Sequence, residues 1–306
     1  MTGMAQAEQR FQLEQALGWG RFWHVYLARD TALDLQVVVR LAAHPDLERA
    51  LRVSGRMMGR IGDLRHPNVV TIRGLHEIDG RLGLVVEYVG PSLRTRVGNI
   101  EEHPHSPMPA EQAFGIALQL CRGLNAVHGA FADTGVFHGD IKPEIVLIRE
   151  SDGVVKIDFL PIALLRTSFG VGGVYGTPPY MAPELLRGDA GADQRADVYA
   201  AGVTLYEMLT GCLPFWPFDD THRPKRPMEY AQEICSGSPR SPAEVAHVDS
   251  GLSDVVLKAM HRDVDERYQS AMEFHDALNE CAAGLPSGMA PVQVDRPQPL
   301  GTRTGR

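Results

Sequence analysis

His138-Gly-Asp-Ile-Lys-Pro-Glu-Ile-Val-Leu147 is the stretch on which the reading of this chain turns. It sets an acid at Asp140, a lysine two positions on at Lys142 and a proline directly after. At position 145 stands Ile145, whose hydrocarbon side chain offers no oxygen to a hard cation. Around this stretch lie 306 residues, 44% of them hydrophobic, enough for one large domain or two lobes with ordinary cores. The formal net charge of −8 argues against nucleic acid as a partner, since phosphate contacts favour a basic face. Cys121, Cys212, Cys235 and Cys281 show no CxxC pairing or metal-ligand spacing, which suits a reducing compartment. No apolar run approaches the ~20 residues of a membrane helix, so the expected location is cytoplasmic.

Working outward, the chain is punctuated by further short patterns. Leu17-Gly-Trp-Gly-Arg-Phe-Trp-His-Val-Tyr26 reads as a strand, a glycine turn and a strand, and Leu35 to Leu41 as a third, apolar strand. Apolar positions between Pro45 and Leu64 predict one amphipathic helix. Strands follow over Val69 to His76 and Leu82 to Val89, separated by the turn signal Asp79-Gly80. Gly98 to Pro109 reads as a surface loop, its His103 and His105 lacking companion metal ligands. Pro109 to His128 is helical, with Ala113, Ile116, Leu120, Leu124 and Val127 on one stripe. Helical stripes recur around 252 to 260 and 270 to 281, and the Gly-, Pro- and Arg-rich end from 283 predicts a disordered tail.

Read together, these patterns resemble the Ser/Thr protein kinases over roughly residues 10 to 282. The opening stretch is similar to the catalytic loop H-R-D-x-K-P-x-N, and Val154-Val-Lys-Ile-Asp-Phe-Leu160 to the strand carrying D-F-G. Gly176-Thr-Pro-Pro-Tyr-Met-Ala-Pro-Glu184 resembles the substrate-docking loop and A-P-E motif over nine consecutive residues, and Asp197 to Gly211 the buried helix that carries the larger lobe. The resemblance implies an α+β, bilobal fold: an N-terminal lead-in over 1–10, a small lobe over 11–89 with an antiparallel sheet and one helix, and a larger helical lobe over 90–282.

The same resemblance implies site residues. Asp140 is in the place of the base, Lys142 steadies the transferring phosphate, and Thr177 docks substrate. Asp158 is in the place of the magnesium ligand. ATP would lie against Gly18, Gly20, Val25, Val38, Arg40, Glu87, Val89 and Leu147, with Val86 as gatekeeper. Asp197 holds the catalytic-loop backbone, and Arg267 pairs with Glu184; both roles are structural.

Departures cluster on the ATP side. Arg40 replaces the strand lysine, Met57 falls where the helix glutamate belongs, Trp23 replaces the third loop glycine, and Ile145 and Leu160 replace the asparagine and the D-F-G glycine. Glu48 lies nine residues before Met57, ~13 Å along a helix, and Asp63 at the helix end. Only four of 30 basic residues are lysine, none before Lys142, so a compositional preference for arginine is the alternative account of Arg40, though not of Met57 or Ile145. Arginine still binds phosphate, but through a planar fork. With both usual partners lost, Arg40 is expected to pair directly with Asp158. Gly139 replaces the arginine that would read a phosphorylated activation loop, which leaves Thr167, Ser168 and Tyr175 as weak switch candidates.

The reading is therefore a pseudokinase, a regulatory module with ATP and Mg2+ handling degraded. It would bind a protein partner, such as a kinase or signalling protein, around Thr177 or Met57. The alternatives are a Ser/Thr kinase of low or atypical activity, and nucleotide binding without transfer.

Overall fold

The structure, a computed structural model, describes residues 10–20, 22–102, 104–160, 176–246 and 248–283. The expectations for His103, Thr167, Ser168, Tyr175, the first nine residues and the tail from 284 lie outside these.

The small lobe is built on one five-stranded antiparallel sheet in the order β1-β2-β3-β5-β4, from β1 (Phe11–Trp19), β2 (Trp23–Asp30), β3 (Leu35–Ala42), β4 (Ile72–Ile78) and β5 (Arg81–Glu87). Alternation decides which residues serve the core and which the cleft. Val37, Val39 and Leu41 turn into a small cluster with Phe11, Ala28, Ile78 and Val85. Val38 and Arg40 turn the other way. The second face of the apolar β3 run is the roof of a cleft. Asp79 and Gly80, both at positive φ (51° and 71°), make the tight turn from β4 to β5.

Four expectations are corrected. The helix predicted over 45–64 is two, α1 (Pro45–Val53) and α2 (Gly55–Asp63), because Ser54 leaves helical geometry at ψ 24° and glycine follows it. The strand expected from Val69 begins at Ile72, with Val69 making only an isolated bridge to Ile157. The next ends at Glu87, before the crossing between lobes. Arg10 is no loose lead-in, since its guanidinium donates to both oxygens of Asp30, at 3.0 and 2.8 Å.

The larger lobe follows as α3 (Arg94–Val97), α4 (Ala110–Ala130), the hairpin β6 (Val146–Ile148) and β7 (Val155–Ile157), then α5 (Pro183–Arg187), α6 (Arg195–Thr210), α7 (Pro227–Ser236), α8 (Pro242–Ala246), α9 (Ser250–Ala259) and α10 (Ala271–Ala283). The stripe predicted on α4 is buried in full. Helix α6 is buried on every side from Ala196 to Thr210, so it is the axis around which the others pack. Its polar residues are satisfied locally, as where the Thr204 hydroxyl donates to the Ala200 carbonyl at 2.9 Å. Where the chain crosses between lobes, Gly90 (φ 150°) passes so close to Ile148 that a Cβ would stand 2.4 Å from its carbonyl oxygen. One continuous core joins α1, α2 and β5 to the larger lobe. This α+β, two-lobed architecture is the one the resemblance implies.

Candidate active site

The floor of the cleft is assembled by α6. Asp197, fully buried, accepts the backbone amides of His138 and Gly139, each at 2.8 Å, and lies 2.8 Å from His128 Nε2. Burial alone would push this carboxyl up, but the His128 contact, the nearby His138 ring and the Gly139 amide hold it below its ordinary value. Gly139 takes φ 78°, a left-handed turn that lets both amides aim at one carboxylate. His138 Nδ1 accepts the Asp140 amide at 3.2 Å, which leaves Nε2 to donate to the Asp158 carbonyl at 2.9 Å. The loop carrying Asp140 and the Asp158 segment are thereby tied together.

On this floor stand three polar side chains in mutual contact. Lys142 Nζ lies 2.9 Å from Asp140 Oδ2 and donates to the Thr177 hydroxyl at 2.5 Å, while that hydroxyl donates to Asp140 Oδ1 at 2.8 Å. A hydroxyl aimed at the Asp140 carboxylate is the arrangement a base needs to accept a proton. Below them, Arg267 forks onto both oxygens of Glu184, each at 2.7 Å, with its guanidinium 5.0 Å from the centre of the Tyr199 ring. Ile61, Ile72, His138 and Phe159 are all buried, and the His138 and Phe159 rings lie 5.8 Å apart.

The roof differs. Arg40 and Asp158 form an ion pair through Nη2 and Oδ2, with side chains only 11% and 17% exposed. Its position on β3 aims Arg40 into the cleft, and α2 offers no acid but Asp63 at its end. Met57 is half-buried against the core, and Glu48 is spent on the Leu82 amide at 3.2 Å.

The cleft between the lobes has a volume of about 750 Å³. Val25, Val38, Val86, Val89 and Leu147 give it apolar walls, and Gly18, Arg40 and Glu87 also line it. Gly20 is absent from this lining; its amide donates to the Trp23 carbonyl at 2.8 Å, and Trp23 borders the cleft instead. A flat apolar ring system fits these walls. A magnesium ion does not fit the donors: Asp158 is taken by Arg40, and Ile145 supplies no oxygen. Among the described residues, no three His, Cys, Asp or Glu side chains cluster as a metal would require.

Two linkages escaped the sequence reading. Glu87 Oε1 accepts Lys156 Nζ and the Thr71 amide, each at 2.7 Å, tying the crossing between lobes to the strand before Asp158. Burial works against this carboxylate, yet the Lys156 and Thr71 bonds hold it below its ordinary value. A lone lysine in an apolar strand, in a chain with four lysines, was the available signal. The other is Arg94 of α3, which donates to Glu207 at 2.6 Å and to Glu144 at 3.0 Å and also contacts the Tyr180 hydroxyl. Nothing in the spacing announced it, because its partners lie 50 to 113 positions away.

A two-lobed fold with this floor defines a protein-kinase-like molecule, and comparison with known proteins places it further. Residues 11–279 match the family model of the protein kinase domain. The chain belongs to the protein kinase family. It is 32% identical over 309 residues to serine/threonine-protein kinase PknB of Mycobacterium leprae, covering 96% of this chain and 46% of that protein. PknB of Mycolicibacterium smegmatis is 33% identical over 293 residues, covering 91% and 44%. The chain thus spans about half the length of the curated relatives it matches. The crystallised kinase domain of PknI from Mycobacterium tuberculosis superposes with a TM-score of 0.64 at 21% identity, covering 92% of this chain and all of that one, a likeness of fold. Relatives described as serine/threonine kinases support the enzyme alternative better than the pseudokinase reading. No helix among the described residues is long and apolar enough to cross a membrane.

Proposed function

We propose that this chain is a Ser/Thr protein kinase domain of low or atypical activity, which transfers the γ-phosphate of ATP to a hydroxyl of a protein partner. The observation that carries this reading is the contact of Asp140, Lys142 and Thr177 on a loop held from beneath by Asp197. Asp140 accepts the proton of the incoming Ser or Thr hydroxyl, in the place where the Thr177 hydroxyl now sits. Lys142, 2.9 Å from Asp140, holds positive charge beside the path of the transferring group. Val38, Val86 and Leu147 sandwich the base of the nucleotide, and the backbone of Glu87 to Val89 faces its edge. Bound ATP would supply the phosphoryl group.

A second reading, a pseudokinase acting through protein binding, is favoured by one observation: Arg40 occupies the carboxylate that would hold magnesium. Incubation with ATP and phosphosite mapping by mass spectrometry separate the two. Phosphate on Ser or Thr that falls at least ~100-fold in Asp140→Asn, with thermal unfolding unchanged, fits the enzyme. No incorporation, or incorporation indifferent to Asp140→Asn, sinks it and leaves the pseudokinase.

A further inference from the structure

We infer that the cleft takes a nucleotide polyphosphate without a divalent cation, with the Arg40 guanidinium as the resident positive charge at its phosphate end. This rests on reading the cleft as a nucleotide site, and it goes beyond that reading in what holds the ligand. Arg40 is nine-tenths buried and lines the cleft. A guanidinium presents five N–H donors in a rigid fork. Among the described residues one terminal nitrogen reaches Asp158, and the other donors reach no protein acceptor. Buried donors without acceptors are unfavourable, and phosphate oxygens match the fork's geometry. A phosphate arriving in the cleft therefore meets a guanidinium already held in place, with Asp158 contacting one terminal nitrogen.

The same pair works against a metal. A divalent cation at Asp158 would first have to displace Arg40 and then leave that buried guanidinium beside a second positive charge. The remaining carboxylates around the cleft are already engaged: Asp140 by Lys142 and Thr177, Glu144 by Arg94, and Glu87 by Lys156. Arg40 also lies on the same β3 face as Val38, which borders the apolar part of the cleft. Base and phosphate are thus received by one strand, two residues apart.

Calorimetric titration of the whole chain with ATP tests this, once in EDTA and once with Mg2+, with adenosine as the probe lacking phosphate. Wild type should bind ATP in EDTA at least as tightly as with Mg2+. Arg40→Ala should weaken binding in EDTA by about 10- to 100-fold while leaving adenosine binding in place, which also certifies the fold. Asp158→Asn, which frees the guanidinium, should retain or tighten binding in EDTA and serves as the second variant if Arg40→Ala does not fold. ATP binding that requires Mg2+, ATP binding that is absent, or binding in EDTA that survives Arg40→Ala overturns the inference. Because the readout is binding, its failure is distinct from a failure of phosphotransfer, which Asp140→Asn reports.

Discussion

The floor and the roof of the cleft use charge in opposite ways. On the floor, Asp197, Glu184 and Asp140 each meet several donors, and every contact orients a loop or another side chain. On the roof, Arg40 and Asp158 mainly meet each other. The floor charges therefore fix the geometry of the loop above them, while the roof pair closes one carboxylate on one guanidinium. Loss of one motif residue in a kinase-like chain thus says little until its former partners are located, since the partner can be captured by the replacement.

The largest effect is expected at the buried fork beneath the floor. Arg267→Ala leaves Glu184 buried and unpaired and should lower stability by about 3 to 5 kcal/mol, read by denaturant unfolding. A loss below about 1 kcal/mol would show that the floor does not depend on its buried fork.

The link between lobes is next. Lys156→Met strands the Glu87 carboxylate and should cost about 2 kcal/mol at pH 7. Glu87 is held below its ordinary value of 4.5 in the folded state. Its contribution is therefore fully present above pH of about 4.5 and is lost as the pH falls through the depressed folded value. The gap between Lys156→Met and wild type should narrow on acidification to pH of about 3.5, read as melting temperature against pH. A gap that widens with acid would contradict the pairing.

The smallest effect expected is at Ile145. Ile145→Asn adds an oxygen to the cleft lining, at a half-buried position, and should change stability by less than about 1 kcal/mol. Alone it should not make ATP binding depend on Mg2+, because Arg40 still holds Asp158. Titration of Ile145→Asn that shows Mg2+-dependent binding would place the limiting fault at Ile145 and not at the ion pair.

Much of the floor was legible in the sequence, because its parts are short contiguous motifs. Gly176 to Glu184 and the loop from His138 carry their meaning in local order, and the pairing of Arg267 with Glu184 follows from the family pattern. The Arg40 pair with Asp158 was foreseen because both had lost their usual partners. The break at Ser54 was missed since apolar periodicity continued across it, and backbone geometry at one residue leaves no mark on that periodicity.

What the sequence determined by itself was the set of elements and the chemistry available on each: local propensity, turn residues and the period of apolar positions act over a few residues. What tertiary structure alone decided was the partner of each charge that stands outside a motif. Lys156 with Glu87 and Arg94 with Glu207 join positions 69 and 113 residues apart. A buried charge must find a partner wherever the fold brings one, and that search runs through space, not along the chain.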